Sequence, residues 1–247
     1  MAFWHGFADL VYPPRCLLCL RPPRLSRDHF CEECAGLLFS DVEAKRVEEN
    51  RICPRCAANV GPFSLQDGQC HACRNDPPAF DAALRLGVYD GPLKDAVLHM
   101  KNAHFEGMAE LMGERWGKYQ QVRFEALKVD AVVPVPLHWW RRLRRGYNQS
   151  ASLAYGLASQ LGLPCRRWWL RRSRNTPSQK ELTATQRREN VKDAFRVWET
   201  PRMRGAHVLL VDDVMTTGAT VHEAARTLKR GGVKRVTVAV LARAEGK

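Results

Sequence analysis

The segment VLLVDDVMTTGAT at 208–220 limits the possible folds of this chain more than any other. Residues 208–211 are apolar and predict a buried strand that ends in two adjacent carboxylates, Asp212 and Asp213. Val214-Met215-Thr216-Thr217-Gly218 then forms a turn rich in hydroxyls, and a helix begins near Thr220 and is closed by Gly231-Gly232. A strand feeding a helix through so short a turn is the unit of an α/β sheet, and the neighbouring segments carry the same alternation. Strand signals fall at 80–89 (FDAALRLGVY), 129–135 (VDAVVPV), 207–211 and 235–241 (RVTVAVL), with weaker ones at 165–170 and 194–198. Helical spacing links Leu93, Val97, Leu98 and Lys101 behind a capping Asp90, and recurs over 106–121 and over 148–161, which stops at Gly162. The expectation is a mostly parallel sheet with helices on both faces, occupying 80–247.

In open α/β sheets ligands bind beyond the carboxyl ends of the strands, where this segment puts its acids and hydroxyls. A helix amino terminus offers unpaired N–H groups and a partial positive charge, which suit a phosphate. Thr216, Thr217 and Thr220 add hydroxyl donors, while Gly218 lets the backbone close around an anion. Asp212 and Asp213 stand where they can accept hydrogen bonds from the cis 2′ and 3′ hydroxyls of a ribose. The pattern therefore suits a ribose 5-phosphate. A plain strand–turn–helix crossover also caps its helix with Asp and Thr, but capping requires neither two acids nor a TTGAT turn.

Eight of the nine cysteines lie in the first 73 residues as four CxxC pairs: Cys16/Cys19, Cys31/Cys34, Cys53/Cys56 and Cys70/Cys73. Pro, Gly and polar residues break every periodic pattern there, and only 41–50 could form a core helix of ordinary length. A region so poor in apolar residues needs a staple. CxxC places two thiolates on one tight turn, and two such knuckles complete a tetrahedral Zn²⁺ site. Gaps of eleven residues between Cys19 and Cys31, and thirteen between Cys56 and Cys70, suit two successive zinc ribbons. An interleaved pairing of the knuckles would use the same residues. Closed four-cysteine sites are structural, with no open position for water. Redox or isolated buried thiols are the competing explanation, and four regular pairs argue against it. The expectation is a double zinc ribbon over 1–76, a linker at Asn75-Asp76-Pro77-Pro78, and the sheet domain after it. Cys165 has no sequence partner and reads as a core or strand residue, and His71 as incidental to its knuckle.

Charge is distributed unevenly. Residues 1–80 carry nine Lys/Arg against ten Asp/Glu, whereas 81–247 carry thirty against sixteen. From Ala131 to Lys180 there are ten basic residues and no acid. A field of one sign favours phosphates or nucleic acid, although a solvated basic face shows the same run. Two segments interleave rings with cations: Trp139-Trp140-Arg141-Arg142-Leu143-Arg144-Arg145-Gly146-Tyr147 and Arg166-Arg167-Trp168-Trp169-Leu170-Arg171-Arg172. Single-stranded nucleic acid is held by this combination, with bases stacked on rings and cations along the backbone. Tryptophans in such runs are equally at home in a core. No apolar run approaches the roughly 20 residues that span a bilayer. The opening MAFWHGFADLVYPP lacks the pattern of a signal peptide, so a cytoplasmic, reducing location without membrane insertion is expected.

VLLVDDVMTTGAT closely resembles the phosphoribosyl-pyrophosphate (PRPP) binding motif of type I phosphoribosyltransferases. The resemblance implies that Asp212 and Asp213 hold the ribose hydroxyls and Thr216, Thr217, Gly218, Ala219 and Thr220 the 5-phosphate. It implies Mg²⁺ bridging pyrophosphate and ribose oxygens, and attack of a nucleophile on C1 of the ribose with loss of pyrophosphate. Four CxxC pairs ahead of such a domain look like the ComF family of competence and DNA-utilisation proteins. Further segments carry that resemblance: YDGPLKDAVLHMK at 89–101, VVPVPLHWWRRLRRGYNQSASLA at 132–154 and LRRSRNTPSQKELTATQRRENVKDAF at 170–195. Pro134-Val135-Pro136-Leu137-His138 resembles a pyrophosphate-binding loop, so Pro136, Arg144, Arg145 and Gly146 are expected at pyrophosphate or DNA. The 171–190 stretch stands where the enzymes close a flexible loop over PRPP, with Gln179, Arg187 and Asn190 as its expected contacts. Three activities fit: phosphoribosyl transfer to an unidentified acceptor, DNA handling in natural transformation with a retained PRPP site, and a zinc-ribbon adaptor for an uptake helicase. No base-recognising segment is evident after the last strand, so any hood over an acceptor is expected from 80–125 or the cysteine region.

Overall fold

The computed structural model describes residues 15–23, 29–39, 51–102, 105–139, 143, 146–174, 183–198 and 200–245. The helix expected at 41–50 lies outside these residues. Four strands form one parallel sheet: β1 (Ala82–Val88), β2 (Ala131–Pro134), β5 (His207–Met215) and β6 (Arg235–Arg243), in the order β1-β6-β5-β2. β3 (Leu170–Arg172) and β4 (Phe195–Val197) pair separately as an antiparallel ribbon. The weaker signal at 165–170 thus begins too early. Cys165 makes only a bridge to Val132, with Arg166 N–H donating to the Val132 carbonyl at 2.7 Å.

Parallel strands covered on both faces read as continuous apolar runs, and Val208, Leu209, Leu210 and Val211 are all fully buried. Their side chains alternate. Leu209 and Val211 join one core with Leu93 and Val97 of α3 (Gly91–His99), Met112 and Trp116 of α4 (Glu106–Tyr119), Phe124 of α5 (Gln121–Ala126), and Leu153 and Leu157 of α6 (Gln149–Gln160). Val208 and Leu210 join the other with Val221, Ala224 and Leu228 of α8 (Ala219–Arg230). Helices therefore cover both faces, as expected. Two details differ. Asp90 occupies the N-cap position of α3 without a side-chain capping bond, and Leu98 is exposed because Leu93, Ala96 and Val97 form the inward face.

α4 and α6 approach so closely that glycine is required at their crossing. A Cβ on Gly156 would lie 1.9 Å from the Glu110 carbonyl oxygen, and one on Gly113 would lie 2.2 Å from that of Leu153. Alanine gains about 1 kcal/mol in helix propensity, but overpacking against rigid backbone costs about 1–3 kcal/mol or more. Gly156→Ala is accordingly expected to lower unfolding free energy by about 2 kcal/mol in urea titration; an unchanged midpoint would show that the helices can part.

The cysteine-bearing segments dock at two places. Cys16, Phe30, Cys34 and Leu38, the latter two on α1 (Glu32–Leu38), belong to the same apolar cluster as Leu86, Val97 and Ala239. The 53–73 segment, which includes the start of α2 (His71–Asn75), lies against the free edge of β1. There Ala83 N–H donates to the Pro54 carbonyl at 3.0 Å. Buried Arg85 donates to the Ala57 carbonyl at 2.9 Å and to Glu245 at 3.1 Å, and Arg55 to the Asp81 and Pro78 carbonyls.

Candidate functional site

The helices after β2 and β5, adjacent strands, lie on opposite faces of the sheet. The connections diverge at this point and leave a crevice beyond the carboxyl ends of both strands. A cavity of about 440 Å³ occupies it, lined by Asp212 and Asp213, by Thr216, Gly218, Ala219 and Thr220, by Pro136 and Leu137 after β2, and by Tyr89, Lys101, Ser150, Arg172 and Arg187.

β5 does not stop before its acids. It pairs with β6 as far as Met215, with Asp212 opposite Val240 and Met215 opposite Arg243, because β6 itself continues to Arg243. Asp212 is therefore held inside the sheet and buried. Ser150 Oγ donates to its Oδ1 at 2.7 Å, and the Asp213 N–H does so at 3.0 Å. Burial is the main influence on its acidity and the Asp213 charge the next; both raise the pKa, which those hydrogen bonds and Arg172 only partly offset, leaving it at about 7. Asp213 is more exposed, accepts from the Val214 N–H at 2.8 Å and faces Lys101 Nζ at 3.9 Å. The pair thus offers one carboxyl that exchanges its proton near neutrality beside a second acid with a cation partner. Such a pair can meet two neighbouring hydroxyls.

The turn after the acids opens on a helix amino terminus, whose partial positive charge favours an anion. Gly218 sits at φ +80°, the left-handed region open to glycine, and forms the N-cap of α8 with no side-chain cap bond. Thr216 and Thr217 are exposed; Thr216 faces the cavity, while Thr217 lines a second space of about 320 Å³ behind the turn with Cys56, Cys73 and His222. Of the other expected contacts, Pro136 and Arg187 line the main cavity. Asn190 does not; on α7 (Ala184–Val191), its carbonyl accepts from Arg174 at 3.1 Å. Gln179, Arg144 and Arg145 lie outside the described residues. No short motif marks Lys101, Ser150 or Arg172 as site residues in the sequence, although Tyr89 and Lys101 are the two ends of YDGPLKDAVLHMK.

A groove of about 640 Å³ adjoins the cavity and shares Pro136, Leu137 and Arg172 with it. Trp139, Tyr155 and Trp168 line it with Arg167, Arg171 and Gly146, and Glu110 is the acid on its wall. Trp139 is 64% and Trp168 60% exposed, whereas Trp169 is 7% exposed and belongs to the core. Tyr147 is also core, its hydroxyl donating to the Met100 carbonyl. Trp140, Arg141 and Arg142 lie outside the described residues. Arg171 lies 5.5 Å from the Trp168 ring and 4.6 Å from that of Trp198, a third exposed tryptophan.

The eight paired cysteines separate in sequence order: Cys16, Cys19, Cys31 and Cys34 converge, as do Cys53, Cys56, Cys70 and Cys73. Interleaving is thereby excluded. None is joined in a disulfide. Cys19 and Cys31 place their sulfurs 3.6 Å apart, Cys56 and Cys70 3.8 Å apart. A tetrahedron with Zn–S bonds of about 2.3 Å has edges of about 3.8 Å, so both quartets fit that ion. His71 is exposed and stands in neither quartet.

Comparison with known proteins agrees with this arrangement. Residues 148–247 match the model of the phosphoribosyl transferase domain. The chain is 35% identical over 239 residues to the DNA utilization protein YhgH of Salmonella typhi, covering 95% of this chain and 99% of the relative. It is 30% identical to competence protein F of Haemophilus influenzae (93% and 97% covered) and 29% to competence protein ComFC of Bacillus subtilis (88% and 83%). With a phosphoribosyltransferase domain, two cysteine quartets ahead of it and near-full-length similarity to these relatives, the chain belongs to the ComF family of competence and DNA-utilisation proteins.

Proposed function

We propose that this protein handles single-stranded DNA in the cytoplasm, in natural transformation or DNA utilisation, and binds PRPP with Mg²⁺ beside the DNA path. The observation that carries the proposal is the continuity of the two spaces: an acid pair and a phosphate-type turn in one, exposed tryptophans and arginines in the next. In this reading Asp212 and Asp213 hold the ribose diol. Thr216, Gly218, Ala219 and Thr220 hold the 5-phosphate, with Thr217 supporting the turn. Pro136 and Leu137 border the pyrophosphate, and Lys101, Arg172 and Arg187 supply cations. Mg²⁺, when bound, would neutralise the charge of the pyrophosphate. Zn²⁺ fills the two quartets and staples the 1–76 region to the 80–247 domain. No cysteine is joined in a disulfide, which fits a reducing compartment, and no helix among the described residues is long and apolar enough to cross a membrane.

DNA binding tests the groove. If Arg167, Arg171 and Arg172 each meet a phosphate, affinity for a labelled single-stranded oligonucleotide falls about twentyfold between about 50 and about 200 mM salt. Trp168→Ala is expected to weaken binding by about 1–3 kcal/mol through the lost stack. Fluorescence anisotropy reads both. An affinity indifferent to salt would remove the nucleic-acid role of this surface.

A further inference from the structure

The turn at 215–218 is braced from behind by one side chain that the PRPP reading does not use. Arg243, the last residue of β6, donates through Nη1 to the carbonyls of Met215 (3.0 Å) and Thr216 and to that of Ala244 (2.8 Å). Its Nε donates to the carbonyl of Cys56 at 3.2 Å. One guanidinium therefore joins the backbone of the anion turn to the backbone of a cysteine knuckle. A planar fork of five donors suits this task, because it can meet several carbonyls in fixed directions at once. Further links run the same way. Ala79 N–H donates to His222 Nδ1 at 3.2 Å, Arg188 pairs with Asp76, and the 320 Å³ space lined by Cys56, Cys73, Met215 and Thr217 separates the quartet from the turn. The first quartet packs into the opposite core and shares none of these contacts.

We propose that Arg243 is a positioning residue through which metal occupancy of the Cys53, Cys56, Cys70 and Cys73 site sets the shape of the anion-binding turn. Metal loss releases the Cys56 knuckle, Arg243 loses a fixed acceptor, and the Met215 and Thr216 carbonyls lose their anchor. Affinity for PRPP then falls because the turn must be ordered at the moment of binding. This inference rests on the PRPP reading of the turn, and its test separates the two.

Four zinc-loaded proteins decide it: wild type, Cys73→Ser, Arg243→Met and Arg243→Lys. Metal content, Mg²⁺–PRPP affinity by calorimetry and amide exchange are measured on each. The informative amides are His222 and Ala244, which donate to the Gly218 and Met215 carbonyls at 2.8 and 2.9 Å. Cys73→Ser is expected to retain one zinc, to bind PRPP about tenfold more weakly or worse, and to exchange faster at those amides. Arg243→Met is expected to show the same two losses with both zinc ions in place, and Arg243→Lys to recover part of the affinity. An Arg243→Met protein that holds two zinc ions, binds PRPP within twofold of wild type and protects those amides would overturn the proposal, whether or not Cys73→Ser folds. If zinc-loaded wild type does not bind PRPP, the ligand reading falls; the coupling then stands or falls on whether those amides lose protection in Arg243→Met.

Discussion

Replacing Asp212 and Asp213 together by asparagine is expected to abolish stabilisation by PRPP while raising the stability of the unliganded protein near neutral pH. The second effect follows from the burial of Asp212. Its carboxyl titrates at about 7 in the folded chain against an ordinary value of 3.8. Between those two pH values the native state keeps a proton that the unfolded chain has released. The contribution is thus most favourable below pH 4 and is lost as pH rises toward 7. A shift of this size corresponds to at most about 4 kcal/mol above neutrality. Asparagine keeps an oxygen for the Ser150 hydroxyl and removes the charge, so the cost disappears. With it goes the second acceptor oxygen, and the ribose hydroxyls lose the acid pair that would hold them. Calorimetry over pH 4 to 8 is expected to show a falling wild-type contribution that is absent in Asp212→Asn. A variant no more stable than wild type at neutral pH would mean that the buried acid carries no such penalty. Paying stability for a charged pair at one strand end is the pattern of a functional site.

Removal of zinc is expected to have the larger effect on the fold. Structural zinc contributes about 10–16 kcal/mol of apparent binding energy in small modules, against about 5–15 kcal/mol for the whole stability of a domain. The first quartet is not an appendage: Cys16, Phe30, Cys34 and Leu38 share the core that holds Trp116 and Leu157. Phe39 also sits 6.0 Å from Tyr119, ring to ring. Stripping its metal therefore uncovers one face of the main core as well as the module. The purified protein is expected to carry two zinc ions per chain. A strong chelator should release both, bring on binding of a hydrophobic dye, and broaden or abolish the cooperative melt. A chelated protein with an unchanged melting curve would show that the quartets are accessory.

Much of this was legible in the sequence because local patterns carried it. Buried parallel strands are written as apolar runs, which is why 207–211 and 235–241 are legible while their far ends, at Met215 and Arg243, are not. Those ends exist only because each strand supplies the other's ladder. The short ribbon of β3 and β4 was misplaced at its first strand, since three-residue strands depend on context more than on propensity. The cysteine quartets were legible through spacing, their pairing only through tertiary structure. The residues that brace the site were not legible. Arg85 and Arg243 look like surface charges, yet both are satisfied by backbone carbonyls far away in the chain. Ser150 is one small polar residue in a helix, marked out only by its contact with Asp212. Gly113 and Gly156 look permissive in sequence and prove obligatory in packing. The even balance between core and stacking roles for the tryptophans was broken by the ribbon: Trp169 turns inward from the segment whose neighbour Trp168 turns out.

If the cavity beside Asp212 and Asp213 holds PRPP with Mg²⁺, that ligand raises the midpoint of thermal unfolding. At about 100 times the dissociation constant, a ligand that binds only the native state adds about 2.7 kcal/mol, which for a chain of this size is a rise of about 5–10 °C in the midpoint. That rise is expected for the zinc-loaded wild type and none for the double asparagine variant. A wild-type midpoint that stays in place at millimolar PRPP and Mg²⁺ would contradict it.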